Sequence, residues 1–434
     1  MQSQNQGHYH RYSWVVLSSV LLAYFSLMFQ RNDISTVLPS LIAAYHWTPE
    51  TAGWVNSAWV WSYSVMQIPF GYVSERWLGT RATVTLGTAM MALGAVLFGF
   101  WMPSVVLGIV CRLTIGAGAA AILVPSNSMF ARWFSSKRRG LQSAVLQTGG
   151  SLAVVCASVV MPALVAGSII LVGLPTVQSA YLVVGVPMVA VVPAVFYFTR
   201  NRPEDIGLPP IDEGERETLK TNSGDEEMSV GATLRSSRQP YALTLVYVGF
   251  LGGAGIMSWV TVYFVDVYHL GAPTAALLLA LVSVVPWLFG VPLSGVLGDR
   301  IGHGRLMILS LLASLVVISV LAVLVAFYGP MPLPYTVALL FLFTCCTSGY
   351  VNAWPLTTDF FTPRVAGTVA GMMNTGGNVA SALVAVVPGY FIVEESPRSF
   401  VSVFGLAALL LVVALLSSTL LPRRGRRLAP KQDL

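Results

Sequence analysis

The chain has 434 residues, of which 55% are hydrophobic and 10% are charged, with a net charge of +6. A soluble domain carries about 25% charged residues, so this composition excludes a soluble globular protein and indicates a polytopic membrane protein. The residues that carry the positive charge lie in particular loops. The net charge is therefore no reason to expect a nucleic-acid partner. The four cysteines fall in apolar runs and the five histidines lack a ligand spacing, so we expect no metal and no cofactor.

Twelve apolar runs approach the length of about 20 residues that a membrane-crossing helix needs. Residues 199–240 are polar and rich in proline, glycine and serine, which predicts a cytoplasmic linker. The predicted fold is therefore an all-α integral membrane protein, with six-helix bundles at residues 1–198 and 241–421 and a basic cytoplasmic tail at 422–434. The predicted spans are approximately 13–43, 53–75, 81–101, 104–132, 140–167, 177–198, 241–266, 273–298, 304–328, 334–361, 365–392 and 397–421.

The lysines and arginines predict the orientation of these spans. All but three of the 24 lie in the N-terminal tail, the loops that follow even-numbered spans, the linker or the C-terminal tail. Loops rich in these residues remain cytoplasmic. Both termini are therefore expected on the cytoplasmic side. The three exceptions are Arg31, Arg112 and Arg398.

The first span contains the polar stretch Gln30 to Asp33 in its middle. A charged side chain near the bilayer centre costs at least ~2.5–3.5 kcal/mol on insertion scales, so Arg31 is expected to face the protein interior or a water-filled cavity. Its planar guanidinium can bind a carboxylate bidentately. Alternatively, it is structural and is satisfied by helix carbonyls or by Asp33. An ideal helix points Arg31 and Asp33 about 160° apart, which disfavours a direct pair unless the helix bends.

An internal repeat relates the two halves. A Gly, acid and Arg pattern follows the second span and recurs 224 residues later, after the eighth. It resembles the loop signature G-x-x-x-D-R-x-G-x-x-R of the major facilitator superfamily. The first copy departs from it, with Glu75 in place of Asp and one extra residue before Gly79. The copies are Gly71, Glu75, Arg76 and Arg81, and Gly295, Asp299, Arg300 and Arg305.

Two further patterns support this resemblance. Residues 140–151 echo residues 367–378, and Arg112, Gly116 and Gly118 match the R-x-x-x-G-x-G pattern of the fourth span. The resemblance covers essentially the whole chain. It implies two bundles related by a pseudo-two-fold axis along the membrane normal. It also implies that the acid and Arg residues of the signature loops make cytoplasmic contacts that hold the outward-open state.

The stretch from Arg31 to Pro39 resembles the first-span motif D-R-x-N-I-S-x-x-x-P of the anion:cation symporter family. That resemblance implies that Arg31 contacts a substrate anion. It also implies substrate-binding roles for residues at matching positions of later spans. From the residues themselves, Gln147 and its small and polar neighbours fit either a cavity wall or close helix packing. The full predicted substrate-binding set is Arg31, Tyr63, Gln147, Trp259, Tyr263, Asn374, Asn378 and Arg112, with a structural role as the alternative for Arg112.

The chain departs from this family where proton-coupled members keep two carboxylates. The motif Asp is replaced by Gln30, and the fourth-span Glu after Gly118 is replaced by Ala119. Asp33 lies three residues from Gln30, on the same helix face. We expect Asp33 to be a relocated proton-coupling site. The alternative is that Asp33 braces a bend in the first span.

The sequence thus predicts a secondary transporter of a small organic anion, either a carboxylate or a sugar acid, working by proton-coupled symport and alternating access. Its expected partners are the anion, protons and lipid, and its expected setting is a bacterial inner membrane, as a monomer. The alternatives are an antiporter or exporter of another anion or drug-like compound, and a non-transporting receptor or assembly factor. No span contains a nucleophile–base pair, metal cluster or phosphate loop, so we do not expect an enzyme.

Overall fold

A computed structural model describes residues 2–134, 136–167, 173–208, 230–361, 363–393 and 396–421. The middle of the linker at residues 209–229 and the basic tail at 422–434 therefore lie outside the described residues, as does the side chain of Glu75. The regular elements in the described ranges are α-helices and short 3₁₀ turns, which agrees with the predicted all-α fold.

The helices of the first half are long and follow one another through short connections. They are α1 (Gln2–Tyr45), α2 (Pro49–Arg76), α3 (Gly79–Trp101), α4 (Val105–Trp133), α5 (Ser136–Ala166) and α6 (Thr176–Phe198). The helices of the second half are α7 (Val230–Ser236), α8 (Gln239–Ala254), α9 (Met257–Tyr268), α10 (Ala272–Ile301), α11 (His303–Tyr328), α12 (Leu333–Thr347), α13 (Ala353–Phe360), α14 (Pro363–Val386) and α15 (Val401–Ser418).

Eleven helical segments of the described residues are long and apolar enough to cross a membrane. The predicted second span is a helix of 28 residues, α2, but it is not among them. Its polar side chains lower its hydropathy, and several of them are buried in the protein, for example Asn56, Ser57 and Ser64. The prediction of helix is confirmed for this segment, whereas the count of twelve spans stays a prediction.

Two of the predicted spans are interrupted. The tenth changes from α12 to a 3₁₀ turn at Ser348–Asn352 before it continues as α13. The seventh is divided between α8 and α9 at residues 255 and 256, and this break was not predicted. Glycines at 252, 253 and 255 weaken the helix there, because each costs about 1 kcal/mol relative to alanine.

The chain forms two compact units. The first comprises Met1–Ile34 and Ala58–Glu227, and the second comprises Ser35–Ser57 and Met228–Leu434. The sequence suggested a division at the linker alone. In the structure, the last part of α1 and the first part of α2 also group with the second half, so the boundary crosses both helices.

Within the first unit, α4 packs closely against its neighbours through the two glycines of its sequence pattern. A Cβ atom at Gly116 would lie 2.1 Å from the Trp59 carbonyl oxygen of α2. A Cβ atom at Gly118 would lie 2.5 Å from the Gly87 carbonyl oxygen of α3. Glycine is therefore needed at both positions, because it lets one backbone approach another without a side chain.

The internal repeat is visible in the packing of each unit. In the first, a Cβ atom at Gly150 of α5 would lie 2.6 Å from the Tyr24 ring of α1. In the second, a Cβ atom at Gly377 of α14 would lie 2.9 Å from the Tyr247 ring of α8. Gly150 and Gly377, which the sequence repeat places in register, thus make equivalent contacts with a tyrosine ring.

Candidate functional site

Arg31 lies near the middle of the apolar segment Arg11–Tyr45 and is half-buried. Its guanidinium carbon lies 5.6 Å from the centre of the Trp59 ring on α2. Trp59 in turn stacks on Tyr63, one turn later, with ring centres 4.8 Å apart and planes 17° apart. The cation is therefore held beside an aromatic face, which attracts it through the ring quadrupole.

The close crossing of α4 over α2 positions this aromatic face. Gly116 of α4 lies against the backbone of Trp59, whose side chain is fully buried. Tyr63 is 2% exposed. The predicted pair of Arg31 and Tyr63 is thus brought together, and Trp59 is an additional member that the sequence did not single out. The sequence gives no reason to prefer Trp59 over the other aromatic residues of α2. What distinguishes it is its place at the crossing of α2 and α4.

Asp33 pairs with Arg112 of α4. One carboxylate oxygen of Asp33 lies 3.0 Å from Nη1 of Arg112, and that oxygen also accepts a hydrogen bond of 2.6 Å from the Ile34 backbone N–H. Asp33 therefore points away from Arg31, as helical geometry predicts. Arg112 has no exposed surface, and its guanidinium carbon lies 5.8 Å from the centre of the Phe98 ring.

Arg112 is the counterion of Asp33 in this structure. Its Nε and Nη2 atoms have no hydrogen-bond partner within the described part of the chain. Because the whole side chain is buried, a substrate cannot contact it in this conformation. The structural alternative is favoured for Arg112, and its predicted role as a substrate ligand stays a prediction.

Gln30 and Ala119, which replace the carboxylates of the resembling family, are both buried, at 1% and 0% exposure. The amide of Gln30 lies against the sulfur of Met188 on α6. Its Oε1 atom has no hydrogen-bond partner among the residues that the structure describes. An amide side chain does not take up a proton as a carboxylate does. The acidic group available in this part of α1 is therefore Asp33.

Gln147 of α5 is exposed, and its side-chain oxygen accepts a hydrogen bond of 2.8 Å from the Tyr24 hydroxyl. The neighbouring Thr148 is also exposed. Gly150, three residues after Gln147, allows the close contact with Tyr24 described above. This arrangement leaves a polar side chain fixed in orientation with part of its surface free, which is what a binding contact requires.

In the second unit, Asn374 and Asn378 form an amide pair on α14. The Asn378 side-chain nitrogen donates to the Asn374 carbonyl oxygen at 2.8 Å and to its side-chain oxygen at 3.3 Å. Asn378 is 2% exposed, whereas Asn374 is half-buried. The pair thus presents Asn374 as the more accessible member and Asn378 as its support.

Trp259 and Tyr263 of α9 are both 1% exposed. The Trp259 indole N–H donates to the Val384 carbonyl oxygen at 3.1 Å. The Tyr263 ring packs among aromatic neighbours, with centres 5.0 Å from Phe400 and 5.4 Å from Phe404. Both side chains serve the packing of the second unit in this structure, and their predicted contact with substrate is not tested by it.

The two signature loops share an unusual backbone feature but differ in their contacts. Gly79 and Gly302 have positive φ angles of 76° and 95°, which supports their equivalence despite the extra residue in the first copy. The Arg81 side chain donates to the Phe196 carbonyl oxygen at 2.9 Å. Asp299 instead lies 3.2 Å from His303, and in the described ranges no arginine pairs with it.

The other signature residues are more open. Arg76 and Arg300 are exposed, and so is Arg305. The guanidinium carbon of Arg76 lies 5.5 Å from the centre of the Tyr72 ring. Gly71 and Gly295 are half-buried positions within α2 and α10. The contacts that the superfamily resemblance implies for the outward-open state are therefore not made by Asp299 here, and that role stays a prediction.

His303 connects the second signature loop to the broken tenth span. Its Nδ1 atom lies 2.8 Å from the side-chain oxygen of Asn352, and the Asn352 side-chain nitrogen donates to the Ser294 hydroxyl at 2.8 Å. Asn352 is fully buried in the 3₁₀ turn. The break in the tenth span is thus fixed by hydrogen bonds to α10 and α11.

Comparison with known proteins identifies the family. The sequence model described as Major Facilitator Superfamily matches residues 20–385, with a second match at 288–432. The chain belongs to the major facilitator superfamily. It is therefore an integral, multi-pass membrane protein of a transporter family, and its relatives are transporters rather than enzymes.

Similar proteins include several anion transporters. The chain is 26% identical to a probable sulfoacetate transporter of Cupriavidus necator, over 93% of this chain and 92% of that protein. It is 22% identical to a probable galactarate/D-glucarate transporter of Bacillus subtilis, over 78% of this chain and 77% of that one. A D-xylose-proton symporter has the same fold, with a TM-score of 0.75 at 15% identity, over 96% of this chain and 100% of that one.

Proposed function

We propose that this protein is a secondary transporter of a small organic anion, a carboxylate or sugar acid, that works by proton-coupled symport and alternating access. The observation that carries the proposal is Arg31, a half-buried cation in the middle of an apolar span. A cation in that place is costly unless it has a partner or a function. Arg31 lies over the Trp59 ring, and Asp33, two residues later, forms a buried ion pair with Arg112.

The proposed first-unit contacts are Arg31, Tyr63 and Gln147. The planar fork of Arg31 matches two oxygens of a carboxylate or a sulfonate, and charge-assisted bonds of this kind are about twice as strong as neutral ones. Gln147 adds its exposed amide for the rest of the molecule, and Tyr63, which is 2% exposed in this structure, adds its hydroxyl in a conformation that uncovers it. In the second unit, Asn374 is the proposed polar contact, with Asn378 behind it.

The relatives support this class of substrate. Their names refer to sulfoacetate and to galactarate or glucarate, which are small acids. We propose a bacterial inner membrane as the setting, and cytoplasmic termini on the basis of the distribution of lysine and arginine.

The proposed coupling group is Asp33. When Asp33 is charged, it neutralises the buried Arg112. Uptake of a proton would remove that negative charge and release Arg112, which would change the contact between α1 and α4. Because Arg31 is two residues from Asp33, such a change would reach the substrate cation directly along α1.

An anion exchanger or exporter is the second candidate. It is favoured by the absence of both family carboxylates, at Gln30 and Ala119, and by the tight pairing of Asp33 with Arg112. If that pair never breaks, no proton is carried and only exchange of anions remains. A relative named as a probable small intestine urate exporter of Mus musculus, 24% identical over 88% of this chain and 78% of that protein, fits this candidate.

The test uses purified protein in proteoliposomes, challenged with sulfoacetate, glucarate, monocarboxylates and dicarboxylates. We expect at least one anion to produce uptake together with internal acidification, and to raise the melting temperature of the protein. The Arg31→Ala variant should lose both responses. Absence of any response in the wild type, or an unchanged melting shift in Arg31→Ala, would overturn the anion site.

A further inference from the structure

The short helix α9 supplies side-chain donors to two backbone carbonyls that precede prolines. In a continuous helix, a carbonyl accepts a bond from the N–H four residues later, and proline has no N–H. The carbonyl of Ser35 lies four residues before Pro39, inside α1. The carbonyl of Val384 lies four residues before Pro388, at the end of α14.

Each of these carbonyls receives a hydrogen bond from α9. The Thr261 hydroxyl donates to the Ser35 carbonyl oxygen, and the Trp259 indole N–H donates to the Val384 carbonyl oxygen at 3.1 Å. Thr261 has no exposed surface. Leaving a buried carbonyl without a partner costs about 1–3 kcal/mol, so these donors stabilise the irregular backbone that the prolines create.

The segment that Thr261 contacts is the part of α1 and α2 that belongs to the second unit. Glycines let this segment approach the end of α14. A Cβ atom at Gly53 would lie 2.6 Å from the Ala385 carbonyl oxygen, and one at Gly389 would lie 2.7 Å from the Pro49 carbonyl oxygen. The Trp54 indole N–H also donates to the Tyr390 hydroxyl at 2.9 Å.

We propose that Thr261 is a positioning residue that fastens this segment, residues 35–57, through the Ser35 carbonyl. The contact holds the C-terminal part of α1 against α9 within the second unit. In the proposed cycle of alternating access, residues 35–57 separate from α9, and this separation breaks the hydrogen bond. This role rests on the transport function proposed above.

Pro39 is the reason that this single hydroxyl has an effect. Residue 39 gives the Ser35 carbonyl no helical bond, so the Thr261 hydroxyl supplies a hydrogen bond that the helix does not. Ser35 lies one turn after Arg31 on the same helix. The Thr261 bond therefore holds the helix that carries the proposed substrate cation, without contacting the substrate.

The test measures how often the fastened segment opens, and it needs no substrate. Ala52, which has no exposed surface, is changed to cysteine in a chain whose four native cysteines are replaced. Purified protein in nanodiscs is labelled with a maleimide, which can reach both faces. The rate of labelling then reports opening of residues 35–57, whichever side of the membrane they face.

We expect Thr261→Val to raise the labelling rate roughly two- to tenfold, the fold-change that corresponds to one lost hydrogen bond. Thr261→Ser keeps the donor and should label like the parent. The matched control is Thr344→Val, because Thr344 is also buried but its hydroxyl donates only to Leu340, one turn earlier in its own helix. It should leave the rate unchanged.

A second variant tests the role of the Ser35 carbonyl. Pro39→Ala gives that carbonyl a helical partner, so Thr261→Val should have a much smaller effect in the Pro39→Ala chain. Equal effects in both backgrounds would overturn the proposal, and so would a Thr261→Val rate equal to that of the parent or of Thr344→Val. Failure of anion transport leaves these results intact, so the two proposals can be judged separately. Elution as a monodisperse peak confirms that each variant is folded.

Discussion

The carboxylate of Asp33 and the guanidinium of Arg112 lie 3.0 Å apart, and the two side chains are 5% and 0% exposed. The pair joins α1 to α4 next to the residue that we propose as the substrate ligand. Each buried charge has lost its hydration, so each depends on the other for compensation. The pair is therefore a structural contact, and it contains the carboxylate that we propose as the proton-coupling group.

Removing one member of this pair should destabilise the protein strongly. We expect Asp33→Asn or Arg112→Gln alone to cost about 3–5 kcal/mol, because the remaining partner is left buried without compensation. The double variant should recover most of that loss. Thermal unfolding in detergent measures the three variants against the wild type.

The matched control is the exposed pair of Asp299 and His303, in which Asp299 is 75% exposed. Asp299→Asn should cost less than about 1 kcal/mol, as surface pairs do. If the effects of Asp33→Asn and Arg112→Gln simply add in the double variant, the two residues do not act as a pair.

The proton-coupling role of Asp33 is tested by accumulation and counterflow. With Asp33→Asn, we expect accumulation driven by a pH gradient to be lost, while exchange of labelled for unlabelled anion continues. The double variant Asp33→Asn with Arg112→Gln serves as the folded reference. Accumulation that survives in either variant would mean that Asp33 is structural, which would favour the second candidate function.

Arg31 should show a graded dependence on its side chain. Losing a charge-assisted hydrogen bond costs about 1.5–3 kcal/mol, so Arg31→Ala should raise the KM for the transported anion at least about tenfold. Arg31→Lys keeps the charge but loses the planar fork, so its KM should lie between those of the wild type and Arg31→Ala. Arg238→Ala, at an exposed arginine, should leave the KM unchanged. An unaltered KM in Arg31→Ala would remove Arg31 from the site.

Two glycine-to-alanine substitutions should change the stability of the protein in opposite directions, because only one of them lies at the close crossing of α4 and α2. Gly116→Ala should destabilise the protein and disturb Trp59, because the new Cβ atom would lie 2.1 Å from a backbone oxygen. Gly405→Ala, in α15, meets nothing within 4 Å and should raise stability by up to about 1 kcal/mol through helix propensity. Thermal melting of both variants checks the signs, and a stable Gly116→Ala would contradict the described crossing.

The helices could be read from the sequence because their signals are local. Runs of apolar residues predicted the spans, and the fixed angle of about 100° per residue predicted that Asp33 points away from Arg31. Each of these depends on residues within a few turns of one another.

The contacts of the candidate site depend on crossings between distant helices, and periodicity does not encode them. Arg112 is 79 residues from Asp33, and both were singled out by the sequence without being paired. Trp59 was one of several aromatic residues on α2, and its place beside Arg31 follows from the glycine on α4 that it meets.

The contact of Thr261 was also missed, although a signal for it exists. Because Pro39 has no N–H, it gives the Ser35 carbonyl no helical hydrogen bond. A buried carbonyl then requires a donor from elsewhere. The sequence therefore shows that a donor is needed but does not identify the residue that supplies it. Thr261 lies 226 residues away in the chain, where no local pattern marks it.

The grouping of residues 35–57 with the second half has a consequence for how the protein is made. Trp54 and its hydrogen-bond partner Tyr390 are 336 residues apart. At about 5–20 residues per second, roughly 20 s to 1 min of translation separates them. The ends of α1 and α2 must therefore remain in the membrane through most of synthesis without their final neighbours. Splitting the gene at the linker would lengthen that wait, and the second fragment would complete its own unit only after the first fragment associates with it.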